Sequence, residues 1–260
     1  MRILILTQNE SLYLPTAIAS ICRARRDDIA SIVVAPAMST HGGPLRGLLR
    51  HVCLFGLTGT LILAWRVLGA KLKGWLHRPG RDGPFYSLRA VAKAFGIPYH
   101  VVTQVNSEQF HAIIDAANAD LLVSMSCPQI IGKRVRKRFA KGCINVHGAP
   151  LPRYRGLMPA FWALRNGEIV TGVTVHDLAD KLDDGEILLQ RNVAIVPEDT
   201  WDSLVRKTKT AGAKAIIEAI DQIERGIVSR RQNTDAEATY FSFPTAADRK
   251  AFRKAGRRFF

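Results

Sequence analysis

The stretch YHVVTQVNSEQFHAIIDAANADLLVSMSCPQIIGKRVRKRFAKGCINVH, residues 99–147, decides the fold. Three short runs rich in β-branched and aliphatic residues, YHVVTQV, ADLLVSMS and GCINVH, are separated by helix-like segments. Strands alternating with helices predict an α/β fold: a Rossmann-like, mostly parallel sheet with helices on both faces. Working outward, RILILT reads as a first buried strand and QNESLYLPTAIASI as a helix. Pro15 suits its first turn, and Leu14, Ile18 and Ile21 have helical spacing. IASIVVAP is a further strand. Beyond residue 147, TGVTVH and EILLQRNVAI read as strands on either side of the turn-rich DLADKLDDG, before a long helix that ends near residue 225.

With 260 residues, 47% hydrophobic and 23% charged, the composition is that of a soluble globular protein. We expect a body over 1–225, interrupted by a helical insertion at about 45–78, and a short C-terminal extension over 226–260. Four scattered cysteines form no C-x-x-C pair, so neither a metal site nor a disulfide framework is signalled. MRILILTQNE has too short an apolar run for a secretory signal, and a cytoplasmic protein is expected. The net charge of +15 points to anionic partners.

Two basic segments bear on those partners. RGLLRHVCLFGLTGTLILAWRVLGAKLKGWLHR, residues 46–78, has an uncharged run between Arg50 and Arg66 that falls short of a bilayer span. A buried or oligomer-forming helical insertion is the plainer reading. The second is a helix lying on an anionic membrane at the inner face of the cell, with Trp65 and Trp75 at the interface. KRVRKRFAK, residues 133–141, offers only Phe139 for stacking. It is read as a solvated helix face, and nucleic acid is not an expected partner.

In open α/β sheets, ligands sit beyond the carboxyl ends of the strands. There Asn145 and His147, two apart on a strand, share a face. Neither G-x-G-x-x-G nor a P-loop occurs. An Asp carried on DLADKLDDG toward this pair makes a site that can handle a proton and a developing negative charge together. His176 is read as structural or as a support for the same loop, toward which it points along its strand, Asp184 and Glu168 as turn or cap residues, and Trp162 as core.

INVHGAPLPRYRG, then TGVTVH, then LDDGEILLQ resemble, in that order, the formyltransferase domain that uses 10-formyltetrahydrofolate, over roughly residues 120–220. The resemblance implies catalytic roles for Asn145, His147 and Asp183. It implies a folate pocket at Ser126, Gln129, Ile130, Ile131, Ala179, Asp180 and Leu182, held largely through backbone groups. Arg153 and Arg155 would bind an anionic group on the acceptor. Ala149 stands where many members have Ser. The first loop lacks the glycine-rich phosphate loop of glycinamide ribonucleotide enzymes and carries Glu10, which argues against that substrate.

The residue types suit the reaction independently. Attack of a primary amine on a formyl carbon creates an oxyanion, which an amide and an imidazolium can stabilise. A carboxylate can orient the imidazole and take the amine proton. The implied function is N-formylation of a small-molecule amine, an amino sugar carried on a nucleotide or a lipid, by an enzyme that could form a homodimer. The alternatives are a methionyl-tRNA formyltransferase-like enzyme without the usual C-terminal domain, and a non-catalytic membrane- or RNA-binding adaptor with a vestigial site.

Overall fold

In the computed structural model, β1 (Ile3–Gln8) is buried at five of its six positions because it is covered from both sides. Its side chains alternate: Ile3 and Ile5 join one core, Leu4 and Leu6 the other. Residues 1–36, 44–76 and 80–260 are described, with side chains in the second segment from residue 47 onward.

Around β1 runs a seven-stranded sheet made with β2 (Ile29–Ala35), β3 (Tyr99–Val101), β4 (Leu121–Met125), β5 (Cys143–His147), β7 (Val170–Asp177) and β8 (Ile187–Ala194), in the order β3-β2-β1-β4-β5-β7-β8. The first five strands are parallel, and β7 and β8 return antiparallel as a hairpin. The mostly parallel sheet expected from the sequence is present, with helices on both faces. Helices α1 (Leu14–Ala24), α3 (Leu88–Phe95) and α7 (Trp201–Arg225) cover one face through Ile18, Val91 and Ile216. On the other, α4 (Glu108–Ala117) and α5 (Lys133–Arg136) pack through Phe110 and Val135.

The basic segment 133–141 differs from its expectation. Only four residues are helical, because the chain must turn back so that Lys141 N–H reaches Asp120 O and β5 can start beside β4. Arg134, Arg136 and Arg138 are paired with Glu108, Asp180 and Asp115.

The insertion forms α2 (Pro44–Leu76), interrupted at Gly56, whose φ of 74° and ψ of 175° suit glycine alone. Residues 77 and 78 of the expected insertion lie outside the described residues, as does the Arg46 side chain. The extension after residue 225 folds back on the body. Arg231 bridges Ile187, β9 (Tyr240–Phe241) pairs with β6 (Arg155–Gly156), and α8 (Ala246–Lys254) buries Phe252 against Phe161. Phe259 and Phe260 close an aromatic cluster with Phe55 and Trp201.

Candidate active site

Where β5 meets the antiparallel hairpin, the register sets Asn145 directly opposite His176. His176 Nδ1 lies 2.8 Å from the Asp177 carbonyl oxygen, which can only accept, so Nδ1 carries the proton. Its Nε2 lies 3.1 Å from Asn145 Nδ2 and 3.6 Å from Asp183 Oδ1, accepting from the amide when the ring is neutral and donating to the carboxylate when it is doubly protonated. Asn145 is half-buried and keeps a second amide N–H.

Asp183 is brought to this corner by a tightly constrained loop. The residue itself has φ 52°. A Cβ on Gly185 would sit 1.8 Å from the Asp177 carbonyl oxygen, so no other residue fits there without moving the loop. From the C-terminal extension, Asn233 Nδ2 donates to the carbonyls of Asp183 and Gly185, at 2.8 and 3.1 Å. The Asp183 carboxylate, 6% exposed, lies between two imidazoles, with Oδ2 3.4 Å from His147 Nδ1 and Oδ1 3.6 Å from His176 Nε2. Gly156 N–H donates to Oδ2 at 2.9 Å. Gly156 has φ 100°, and a Cβ there would meet the Phe241 carbonyl oxygen at 2.2 Å.

Burial pushes the Asp183 carboxyl up, but His147, His176 and the Gly156 amide together outweigh it and hold the group at about 2. His147 is pulled both ways. Burial lowers its pKa, while Asp183 and the Tyr154 carbonyl act against that. Its Nε2 donates to Tyr154 O at 2.7 Å while Nδ1 faces a carboxylate, so each ring nitrogen has an acceptor before it. A doubly protonated ring satisfies both contacts; a neutral ring leaves one of them repulsive. Burial wins and the net shift of His147 is downward, so the contacts favour its proton while the buried setting makes it easier to lose, beside a carboxylate held ionised.

The loop after β5 is pinned by Thr174, which donates to Ala149 O at 2.7 Å and accepts from Leu151 N–H at 3.0 Å. The Leu151–Pro152 peptide is cis. Arg155, expected to bind substrate, is turned away from that role. Its guanidinium is buried and bonds Asp184 at 2.9 Å, Asp235 at 2.7 Å and the Asn233 carbonyl at 2.9 Å. It clamps the Asp183 loop to the extension, and its charge is already neutralised. Arg153 is exposed, paired with Glu168 and set over the Tyr154 ring.

Of the expected folate residues, Ser126 ends β4 with φ 58°. Gln129 spends its side chain on Val105 N–H and Thr103 O, Ile130 is exposed and Ile131 is buried in the second core. Ala179, Asp180 and Leu182 lie on the loop before Asp183. Ala179 and Asp180 border, with Lys133, Arg136 and Lys137, an open depression of about 380 Å³.

Sequence reasoning missed two members of the cluster, Asn233 and Lys209, and gave a third, His176, only as structural or supporting. His176 holds Asn145 rather than merely packing beside the site, and Asn233 holds the Asp183 loop. Lys209 on α7 donates to Ser126 Oγ, and burial lowers its ammonium's pKa against the charge of Glu10. Only the pattern of a His immediately before the DLADKLDDG loop hinted at His176. Nothing local marks the other two. Glu168, read as a turn or cap residue, accepts from Tyr154 Oη at 2.6 Å. Trp162 is buried in the core.

Comparison with known proteins places residues 88–220 within the family described as "Formyl transferase". A methionyl-tRNA formyltransferase from Thermodesulfovibrio yellowstonii is 35% identical over 153 residues, which is 59% of this chain and 49% of the relative. The chain thus spans about half the length of the curated relatives it matches. Among solved structures, phosphoribosylglycinamide formyltransferase from Anaplasma phagocytophilum superposes with a TM-score of 0.62 at 17% identity, covering 94% of this chain and 99% of that one. WlaRD, a sugar 3N-formyl transferase solved in the presence of dTDP and 5-N-formyl-THF, gives 0.57 at 19%, covering 93% and 69%. At those identities the likeness is one of fold.

Proposed function

We propose a function from the premise that the chain belongs to the formyl transferase family: it transfers a formyl group from 10-formyltetrahydrofolate to a primary amine, and that amine sits on an amino sugar carried by a nucleotide or a lipid. The carrying observation is the Asp183 carboxylate set 3.4 Å from His147 and 3.6 Å from His176, with Asn145 bonded to His176 at the end of β5.

In this reading the amine nitrogen forms a bond to the formyl carbon as the carbonyl electron pair moves onto oxygen. The free N–H of Asn145 and a proton on His147 meet that oxyanion; His147 must release one of its two present acceptors to do so. Asp183, ionised throughout the physiological range, takes the amine proton through water. The bond from carbon to N10 then breaks, N10 is protonated and the formamide departs. The depression beside Ala179 and Asp180, lined by Lys133 and Lys137, suits the anionic tail of the donor.

Three features bear on the acceptor. Glu10 accepts the N–H groups of Leu12, Tyr13 and Leu14, so the chain's own carboxylate fills the anion position at the start of α1. That disfavours a phosphoribosyl substrate held there. Arg136, Arg153 and Arg155 around the site are each paired with a carboxylate, so these three arginines are already engaged and are weak candidates for phosphate contacts to tRNA. A methionyl-tRNA acceptor remains the second reading, favoured by the 35% identical relative.

The test is incubation with 10-formyltetrahydrofolate and a panel of dTDP- and UDP-linked amino sugars, with methionyl-tRNA in a parallel arm. A gain of one formyl mass on a sugar supports the reading, and transfer to tRNA alone replaces it with the second. No transfer to any amine, with donor binding also absent by calorimetry, leaves a non-catalytic adaptor in the cytoplasm or at the membrane.

A further inference from the structure

Helix α2 is apolar over most of its circumference from Leu57 to Leu76, but only one side has a partner. Its inner side rests on the body: Leu63 packs on the core, Arg66 bonds Asp202 at 2.9 Å, Ala70 is buried and Gly74 approaches Tyr86. The spacing of these positions, 63, 66, 70 and 74, is one helical stripe. The opposite stripe is Leu57, Leu61, Trp65, Leu68, Leu72 and Trp75. All six are exposed, with Trp65 at 76% and Trp75 at 80%. At 100° per residue, Lys71 and Lys73 fall on opposite flanks of that stripe.

Charge follows the same surface. Segments 44–76 and 246–260 contain eleven Lys or Arg and a single acid, Asp248; of the eleven, Arg66 is on the inner side, paired with Asp202. The two segments are also neighbours, since Arg249 on α8 donates to the Val52 carbonyl on α2 at 2.6 Å. A surface that is apolar along its crest and basic on its flanks differs from an ordinary monomer surface. We propose that the outer stripe of α2, flanked by Lys71, Lys73 and the basic α8, docks this protein flat on an anionic lipid bilayer. This goes beyond the transfer reaction and does not rest on it.

The alternatives fit less well. The helix is long and apolar enough to cross a membrane, yet crossing requires leaving the body and exposing Arg66, whose partner Asp202 belongs to α7. A symmetric dimer through this face would bring two basic surfaces together, and the resulting repulsion opposes the contact. Indole rings favour the headgroup boundary, and lysine stems lie along the apolar stripe while their ammonium groups reach phosphate.

The experiment is vesicle flotation of the intact chain, with phosphatidylcholine alone and with about a third phosphatidylglycerol. Binding is expected only to the anionic vesicles, with release by high salt. Lys71→Ala with Lys73→Ala lowers the partition coefficient about 30-fold, the equivalent of ~1 kcal/mol per basic side chain at such a surface. Trp65→Ala with Trp75→Ala lowers it about tenfold or more. Both variants alter exposed side chains, and unchanged thermal melts check that the fold is kept. Absence of flotation at low salt overturns the proposal, as does binding indifferent to lipid charge. Retention after alkaline carbonate overturns it in favour of a spanning helix. Dimerisation without vesicle binding, lost in the tryptophan variant, assigns the stripe to a second copy instead.

Discussion

Replacing Asp183 by Asn keeps the shape of the side chain and removes its charge. In the folded protein the carboxyl is held at about 2, against 3.8 for an ordinary aspartate. The difference corresponds to about 2 kcal/mol of folding stability from ionisation, since each pKa unit is 1.36 kcal/mol. The folded pKa is depressed, so this contribution is complete above the unfolded pKa and is lost as pH falls through the folded one. At about pH 3 roughly half is gone. Other carboxylates are depressed as well, among them Asp199, Asp202 and Asp248, so the wild-type curve alone does not isolate Asp183. The difference between wild type and Asp183→Asn in urea unfolding does. It should shrink by about 1 kcal/mol between neutral pH and about pH 3. Parallel pH curves for the two proteins would refute the electrostatic account of the site. Formyl transfer should fall about 10²–10⁴-fold in the same variant, the usual range for losing a positioned general base. Activity within a few-fold of wild type would remove Asp183 from that role.

Asn145→Ala and His147→Ala should each lower kcat by about 10²–10³ while donor binding by calorimetry is retained. Loss of donor binding together with turnover would move these residues from the oxyanion to the folate pocket. Gly185→Ala must displace the loop, because the new methyl would overlap the Asp177 carbonyl. Unfolding should show a loss of about 2 kcal/mol or more, with activity falling in step. Arg155→Ala breaks contacts to Asp184, Asp235 and Asn233 and should cost about 1–3 kcal/mol in denaturant melts. Its acceptor KM, measured where the fold persists, should stay near the wild-type value; a large rise in KM alone would restore Arg155 as a substrate ligand.

Local sequence was enough for the alternation of strands and helices, because β-branched runs such as ADLLVSMS and periodic segments such as FHAIIDAANA carry their own backbone preference. It was enough, too, for placing Asn145 and His147 on one face, since strand periodicity is a property of consecutive residues. The short α5 shows the limit: KRVRKRFAK has good helix formers, yet the need to deliver β5 beside β4 ended the helix after four residues.

What only the tertiary structure decided is which distant groups meet. The register of β5 against β7 bonds Asn145 to His176, and the loop at Asp183 is held by Gly156 and by Asn233, fifty residues further on. Arg155, which in the sequence is merely a cation near a site, becomes a buried clamp because Asp184 and Asp235 close on it. Pairings of this kind depend on chain closure over long separations, and no local pattern encodes them. The same holds for α2: its composition is plain from the sequence, but which stripe lies on the body and which faces outward is set by Asp202 and the aromatic cluster it packs against.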